Sequence, residues 1–295
     1  MSARFGPAGN AADFPGKSSL EAPAWIRGLS LDVYEYQCGK GVNVSEKTAR
    51  ELGRRARAAG IGLSLHAPYF INLANPDPER LAKTTGYILA ACQAADWMGA
   101  ERVVIHSGSL MKRTRQAALD TAQESLHRVL GACDAAGYGA ITLCPETMGK
   151  INQLGDLDEV LALCSIDERL IPCVDFGHLY ARTLGKLDGE AAMEGILDKM
   201  ARALGDARAA RFHSHFSKIE FSPHGGEVRH LTFRQHDYGP AFEPLANAVA
   251  RRGWSPTFIC ESAGTQAQDA LAMKQTYEAA RAVLLEQQPH GDVLF

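Results

Sequence analysis

Ile171-Pro-Cys-Val-Asp-Phe-Gly-His178 is a short apolar run that closes on a carboxylate and, three residues later and past a glycine, on an imidazole. Such a run, bounded by a turn, reads as a buried strand whose last residue faces whatever lies at the strand's carboxyl end. The same grammar recurs along the chain. Ile61 to Leu65 ends on His66, Arg102 to Ile105 on His106, and Ala140 to Cys144 stops two residues before Glu146. Ala210-Arg-Phe ends on His213, and Pro256 to Cys260 ends on Glu261. Two earlier runs, Arg4 to Gly9 and Leu31 to Tyr36, complete a set of eight.

Helical patterns separate these runs. They cover Ser18–Gly28, a segment capped by Ser45 and ended by Gly60, Glu79–Met98 closed by Gly99, and Arg113–Ala136. Leu157–Cys164, Glu190–Leu204, Pro240–Arg252 and Thr265–Leu285 follow. Strand-helix alternation repeated eight times implies parallel strands with helical crossovers, which close most simply into a (β/α)8 TIM barrel. The expectation is one α/β domain over residues 1–295, with a barrel core of about 3–285. A doubly wound open sheet is the alternative, but no Gly-x-Gly-x-x-Gly follows the first strand.

The 295 residues, 46% hydrophobic and 22% charged, are those of a soluble globular protein. A net charge of −3 and a pI near 6.4 give no global basic excess, so nucleic-acid binding would need a local patch. Seven scattered cysteines without a Cys-x-x-Cys pair read as buried apolar groups in a reducing, cytoplasmic compartment. The N-terminus has no signal pattern and no run reaches membrane-spanning length, so no membrane partner is expected.

In this register His66, His106, Glu146, Asp175, His213 and Glu261 close strands three to eight, and His178 lies just beyond strand six. Strand carboxyl ends converge on one mouth of a barrel. A lone His or Glu there is most often structural; six together are too many for that reading. Clustered carboxylates repel one another unless cations neutralise them. Mixed imidazole and carboxylate donors suit zinc, manganese or iron rather than calcium, and more than four donors suggest two or three ions. After strand seven, His213 and His215 share a face by the period of two, and Glu227 and His230 stand three apart. His224 and His236 read as solvated loop histidines.

At these residues the sequence resembles the endonuclease IV family, zinc-dependent abasic-site endonucleases on a TIM barrel. Leu65-His66-Ala-Pro-Tyr69-Phe70-Ile-Asn72 is similar to its loop after strand three, and Val104-Ile-His106-Ser-Gly108-Ser109 to its His-Pro-Gly-Ser element, with Ser107 in place of proline. Pro145-Glu146-Thr147, Asp175-Phe-Gly-His178, His213 to Lys218 and Glu261-Ser resemble its remaining elements. The resemblance implies a first metal on His66, His106 and Glu146. A second would share Glu146 with Asp175, His213 and Glu261, with His215, where the family has Asn, as a competing ligand. A third would use His178 with an Asp-x-His pair; here the expected Asp falls on Val228, and Glu227 with His230 is the substitute. The ions would be Zn2+, two or three of them, with Mn2+ as an alternative.

The same resemblance makes Glu146 and Glu261 catalytic, the first by bridging two ions and the second by orienting the attacking water. It makes Tyr69 and Phe70 DNA-binding wedges, against the plainer reading of loop packing. The substrate would be DNA at abasic sites or another phosphoester, and the protein a monomer. Lys40, Lys112, Arg113, Arg115, Lys150, Arg182 and Lys218 lie in loops at the same end as candidate phosphate contacts. A second class shares the barrel. Sugar isomerases and epimerases resembling xylose isomerase hold one divalent ion with two Glu, an Asp and a His, a set that Glu146, Asp175, His213 and Glu261 would supply.

Overall fold

The computed structural model describes residues 2–287. Its strands are β1 (Arg4–Pro7), β2 (Val33–Gln37), β3 (Gly62–His66), β4 (Arg102–His106), β5 (Thr142–Glu146), β6 (Cys173–Asp175) and β7 (His213–Phe216), then the pair β8 (Lys218–Ser222) and β9 (Gly226–Leu231), and finally β10 (Thr257–Cys260). All but β8 and β9 form one parallel sheet in the order β1-β10-β7-β6-β5-β4-β3-β2. The ends of that sheet meet: Ala8 bridges Glu35, Gly9 donates to Glu35 O at 2.9 Å, and Asp32 donates to Phe5 O at 2.8 Å. The sheet therefore closes into a barrel of eight parallel strands, as its alternation requires. Gly6 sits on the seam because a Cβ there would lie 1.8 Å from Val33 O, a backbone atom that cannot step aside.

Helices α1 (Ala22–Gly28), α2 (Glu46–Ala59), α3 (Pro78–Met98), α4 (Arg115–Ala135), α5 (Leu157–Cys164), α6 (Phe176–Arg182), α7 (Glu190–Leu204), α8 (Asp206–Ala209), α9 (Glu243–Arg252) and α10 (Gln266–Glu286) surround the barrel. Their ends follow local chemistry. Ser45 Oγ accepts the Thr48 N–H at the start of α2, and Gly60 and Gly99, at φ 68° and 69°, turn left-handed to close α2 and α3. Between helices and strands lie fully buried side chains such as Phe5, Phe212 and Phe258 on one side and Ile88, Val103 and Leu126 on the other. No helix among the described residues is long and apolar enough to cross a membrane. All seven cysteines are buried and unpaired.

Three departures from the sequence reading bear on the site. The expected strand seven, Ala210–His213, is shifted: α8 ends at Ala209, and the strand runs His213–Phe216. His213 thus opens β7, opposite Cys173 and Thr257, instead of closing it. Glu146, placed two residues past its strand, closes β5 itself, paired with His106 and Cys173. The stretch after β7 is an antiparallel hairpin, not a long loop.

Candidate metal centre

Asp175 ends β6 and at once caps α6, its Oδ1 accepting the His178 N–H at 2.7 Å. That cap explains the Asp-x-x-His spacing, since the third helical residue is the one a capping carboxylate reaches. It brings the His178 ring back beside its own cap, with Nδ1 3.3 Å from Asp175 Oδ2. Thr147 fixes the neighbouring strand end by accepting the Asp175 N–H at 2.8 Å. Ser107, where proline was expected from the resemblance, donates to Glu146 O at 3.0 Å and ties β4 to β5.

Glu146 stands at the centre. Its Oε2 lies 3.2 Å from His66 Nε2 and 3.4 Å from His106 Nε2; its Oε1 lies 3.1 Å from His215 Nδ1 and 3.5 Å from His178 Nδ1. Donor atoms converge here in overlapping groups, one of them deeper, of Cys173, His213 and His215. Glu146, Asp175, His215 and Glu261 form another, with His66 sharing Glu146 and His215; His178, Glu227 and His230 form a third. A cavity of about 330 Å3 opens over the last two, lined among others by Gln37, Tyr69, Met148, Lys150 and Gln153.

His213 lies outside the four-donor group. Because it opens β7, its place in the group falls to His215, two residues on along the same face. Glu227 and His230 do share a face, although three residues apart, because β9 carries an extra residue. Phe221 pairs with Glu227 and Glu220 with Arg229, leaving Val228 unpaired at a bulge and exposed. Val228, where the resemblance set an aspartate, therefore points away from the centre, and the glutamate before it takes the inward position. His224 and His236 are exposed.

Sequence reasoning missed Glu35. This carboxylate is fully buried in the middle of β2. Its Oε1 lies 2.9 Å from His215 Nε2; its Oε2 accepts from Ser64 Oγ at 2.8 Å and lies 2.9 Å from His213 Nε2. The available signal was an ionisable residue in the middle of a strand, on the same parity as Val33.

Charge follows these contacts. Burial works against the charged forms of Glu35 and Glu146, yet the imidazoles around them, His215 foremost, hold both carboxyls well below the usual range. Burial pushes Asp175 up, and burial pushes His106 and His213 down to about 4. His178 is held up at about 9 despite its burial, chiefly by Asp175 and Glu227.

Four of the rings share one design: one nitrogen is engaged by the protein and the other faces a carboxylate. His66 Nδ1 donates to Ala67 O at 2.7 Å and His178 Nδ1 to Thr147 O at 2.8 Å. A carbonyl can only accept, so Nε2 is the nitrogen that carries the lone pair when either ring is neutral, as a metal-bound imidazole is. His230 Nδ1 is bonded to Ser217 Oγ at 2.8 Å, and His215 Nε2 lies 2.9 Å from Glu35 Oε1, an ion-pair contact without hydrogen-bond alignment. That is how proteins orient metal-binding histidines. Asp175 Oδ2, buried without a hydrogen-bond partner, supplies a donor whose burial a cation would offset. The donor set fits ions of the zinc or manganese kind.

The expected cationic stripe is reduced. Arg113 donates to Ala74 O and Ala117 O, Arg182 to Met148 O, Lys150 O and Gln153 O, and Lys218 to Phe233 O and Gln235 O. Arg115 grips Glu159 and the carbonyls of Ile151 and Gln153. These four hold the loops of the mouth. Lys40, Lys112 and Lys150 remain exposed beside it, as do Tyr69 and Phe70, the latter edge-on to Tyr87 at 4.8 Å.

An eight-stranded parallel barrel that gathers buried imidazoles and carboxylates at the carboxyl ends of its strands places this chain among the α/β-barrel proteins with enzyme-type centres. More narrowly, it belongs to the xylose isomerase-like TIM barrel family, whose model matches residues 24–285. It is 31% identical over 270 residues to an uncharacterized protein of Methanocaldococcus jannaschii, covering 92% of this chain and 95% of that one. It is 26% identical over 200 residues to the probable endonuclease 4 of aster yellows witches'-broom phytoplasma, covering 66% of this chain and 64% of that one, so the match spans less than two thirds of that relative. Among solved structures, endonuclease IV from Thermus thermophilus superposes with a TM-score of 0.69 at 18% identity, covering 95% of this chain and 99% of that one. An L-ribulose 3-epimerase does so with 0.68 at 16%, covering 98% and 99%. Those two likenesses are of fold alone.

Proposed function

We propose that this chain is a metal-dependent phosphoesterase resembling endonuclease IV, with DNA at abasic sites as its substrate. The observation that carries the reading is the surplus of oriented donors: His178, Glu227 and His230 form a second group beside the four around Glu146 and Asp175. One ion would be held by His66, His106 and Glu146, a second by Glu146, Asp175, His215 and Glu261, a third by His178, Glu227 and His230. Bound there, such ions lower the pKa of water and neutralise charge on phosphoryl oxygens. The chain supplies the rest. Glu261, half-buried at the mouth with Oε1 3.5 Å from His215 Nδ1, orients the water and takes its proton. Lys150 presents an exposed ammonium to the phosphate, and Tyr69 and Phe70 stack into the gap left by a missing base.

A second reading rests on the four-donor group alone. Two Glu, an Asp and a His are the single-ion set of the epimerases, and His215 now completes it in place of His213. The count of ions per chain separates the two. Two or three ions with chelator-sensitive nicking of abasic duplex DNA support the phosphoesterase; one ion, intact DNA and ketose epimerisation would replace it. Glu261→Gln is expected to keep the fold and most of the metal, the second ion being held more weakly, while hydrolysis falls at least about 100-fold, the scale of a lost general base. Retained turnover would remove Glu261 from that role.

Glu35 serves this centre without touching the substrate cavity. With its carboxylate against Nε2, His215 is oriented to offer Nδ1 to the ion. Glu35→Gln is expected to weaken the ion at the Asp175 group by about 10- to 100-fold in a chelator competition, leaving the His178 group unaffected.

A further inference from the structure

The opposite mouth of the barrel holds a second cavity, of about 270 Å3. Arg4, Gly62, Arg102, His213 and Thr257 line it, and each is the first residue of its strand, so this is the amino-terminal face, away from the metal centre. Arg57, near the end of α2, and Glu101 complete its charged lining. Three arginines and one glutamate thus line the cavity.

Two of the arginines are held by a hydroxyl, carbonyls and a ring nitrogen, not by carboxylates. Arg4 donates to Thr257 Oγ1 at 3.1 Å, and Arg102 to Arg211 O at 3.0 Å and, more distantly, to Phe212 O and His213 Nδ1, both at 3.5 Å. No hydrogen bond of the Arg57 guanidinium and no ion pair of the three is found among the described residues. Nor are they needed to cap the helices ending here, because the N–H groups of Gly60 and Gly99 already bond back to the last turns of α2 and α3. Two glycines make room for the guanidinium tips. A Cβ on Gly62 would lie 3.2 Å from Arg4 Nη1, and one on Gly99 3.0 Å from Arg57 Nη1. Burial lowers the pKa of Arg102, with Arg4 and Arg211 adding to that and Cys144 and Glu101 opposing it.

We infer that this cavity binds a small tetrahedral oxyanion, inorganic phosphate or the phosphate of a small monoester, through Arg4, Arg57 and Arg102. Guanidinium forks match such oxygens two at a time, and a partly enclosed site strengthens the attraction. The volume of about 270 Å3 lies just under the range of about 300–1,000 Å3 that takes drug-sized ligands, which leaves room for an anion of this size.

The test is calorimetric titration of the metal-loaded full chain with inorganic phosphate, at ionic strength fixed with sodium chloride. Phosphate also meets the metal centre, so the comparison is among variants. Arg57→Gln and Arg4→Gln, both near the surface, are each expected to weaken one binding event at least about ten-fold, which Lys150→Gln at the other mouth leaves in place. Selenate soaked into crystals should give an anomalous peak between the three guanidinium groups. Glycerol phosphate is the second ligand: binding that is lost in Arg57→Gln extends the site to monoesters, and its failure beside a positive phosphate result confines it to the free ion. Titrations of Arg57→Gln and Arg4→Gln that superimpose on the unaltered protein's, with no selenate in the cavity, would overturn the inference.

Discussion

Glu146→Gln is expected to purify with two fewer ions per chain, without measurable phosphoester hydrolysis, and with a Tm lowered by about 10 °C. The substitution keeps the shape of the side chain and removes its charge. Each oxygen of Glu146 faces two imidazoles, so four rings on β3, β4, β7 and α6 lose one shared partner. The carboxylate is almost wholly buried, so no solvent replaces what is lost. Removing one member of a buried charge cluster costs about 3–5 kcal/mol. In a chain of this length each of those is worth about 2–4 °C. Both the His66–His106 site and the Asp175–His215–Glu261 site would fail together, because Glu146 is the donor they share. Elemental analysis, circular dichroism and a nicking assay on abasic duplex measure the three effects. A folded Glu146→Gln protein carrying its full complement of ions would show that the centre is built on other atoms.

The barrel was legible because its evidence is local and repeated: apolar runs of strand length, each followed by a helix with its own cap, such as Ser45 to Gly60. The strand-ending residues were legible for the same reason. What escaped needed information from across the chain. His213 and His215 share parity, and only pairing with β6 and β10 sets which of them stands at the mouth. A run that reads Phe-His-Ser-His-Phe is apolar at both ends and fixes neither. Glu35 is a plain acidic residue until a strand 178 residues later brings His213 Nε2 to within 2.9 Å. Val228 misled because spacing rules assume a regular strand, whereas one unpaired residue in β9 moves the inward carboxylate to Glu227. The arginines of the mouth were assigned by sign alone. A basic side chain in a loop serves the loop's own carbonyls as readily as a phosphate, and Arg182 does the former.

Gly149→Ala, by contrast, is expected to remove one ion and leave the others. Gly149 lies in the loop between β5 and α5, and its carbonyl accepts the Glu227 N–H at 3.2 Å, docking the hairpin onto the mouth. A Cβ at this position would lie 2.7 Å from Glu227 Cβ, 2.8 Å from Glu227 Oε2 and 2.9 Å from the His178 Cδ2. None of these neighbours can yield freely. The Glu227 backbone is held by Gly149 itself, and the His178 ring is held by its bond to Thr147 O. The added methyl therefore separates Glu227 from His178, at a cost of about 1–3 kcal/mol in crowding. None of the three atoms nearest that Cβ belongs to Glu146, Asp175, His215 or Glu261, which are expected to keep their places. Glu227→Gln should lose the same ion without the crowding, which separates the ligand's loss from the hairpin's displacement. Ion counts for Gly149→Ala and Glu146→Gln then map the centre: a loss of one in the first and two in the second requires three sites, two of them joined through a single carboxylate. Should Gly149→Ala keep every ion, Glu227 and His178 do not hold one in common, and the hairpin's contribution would lie in closing the mouth.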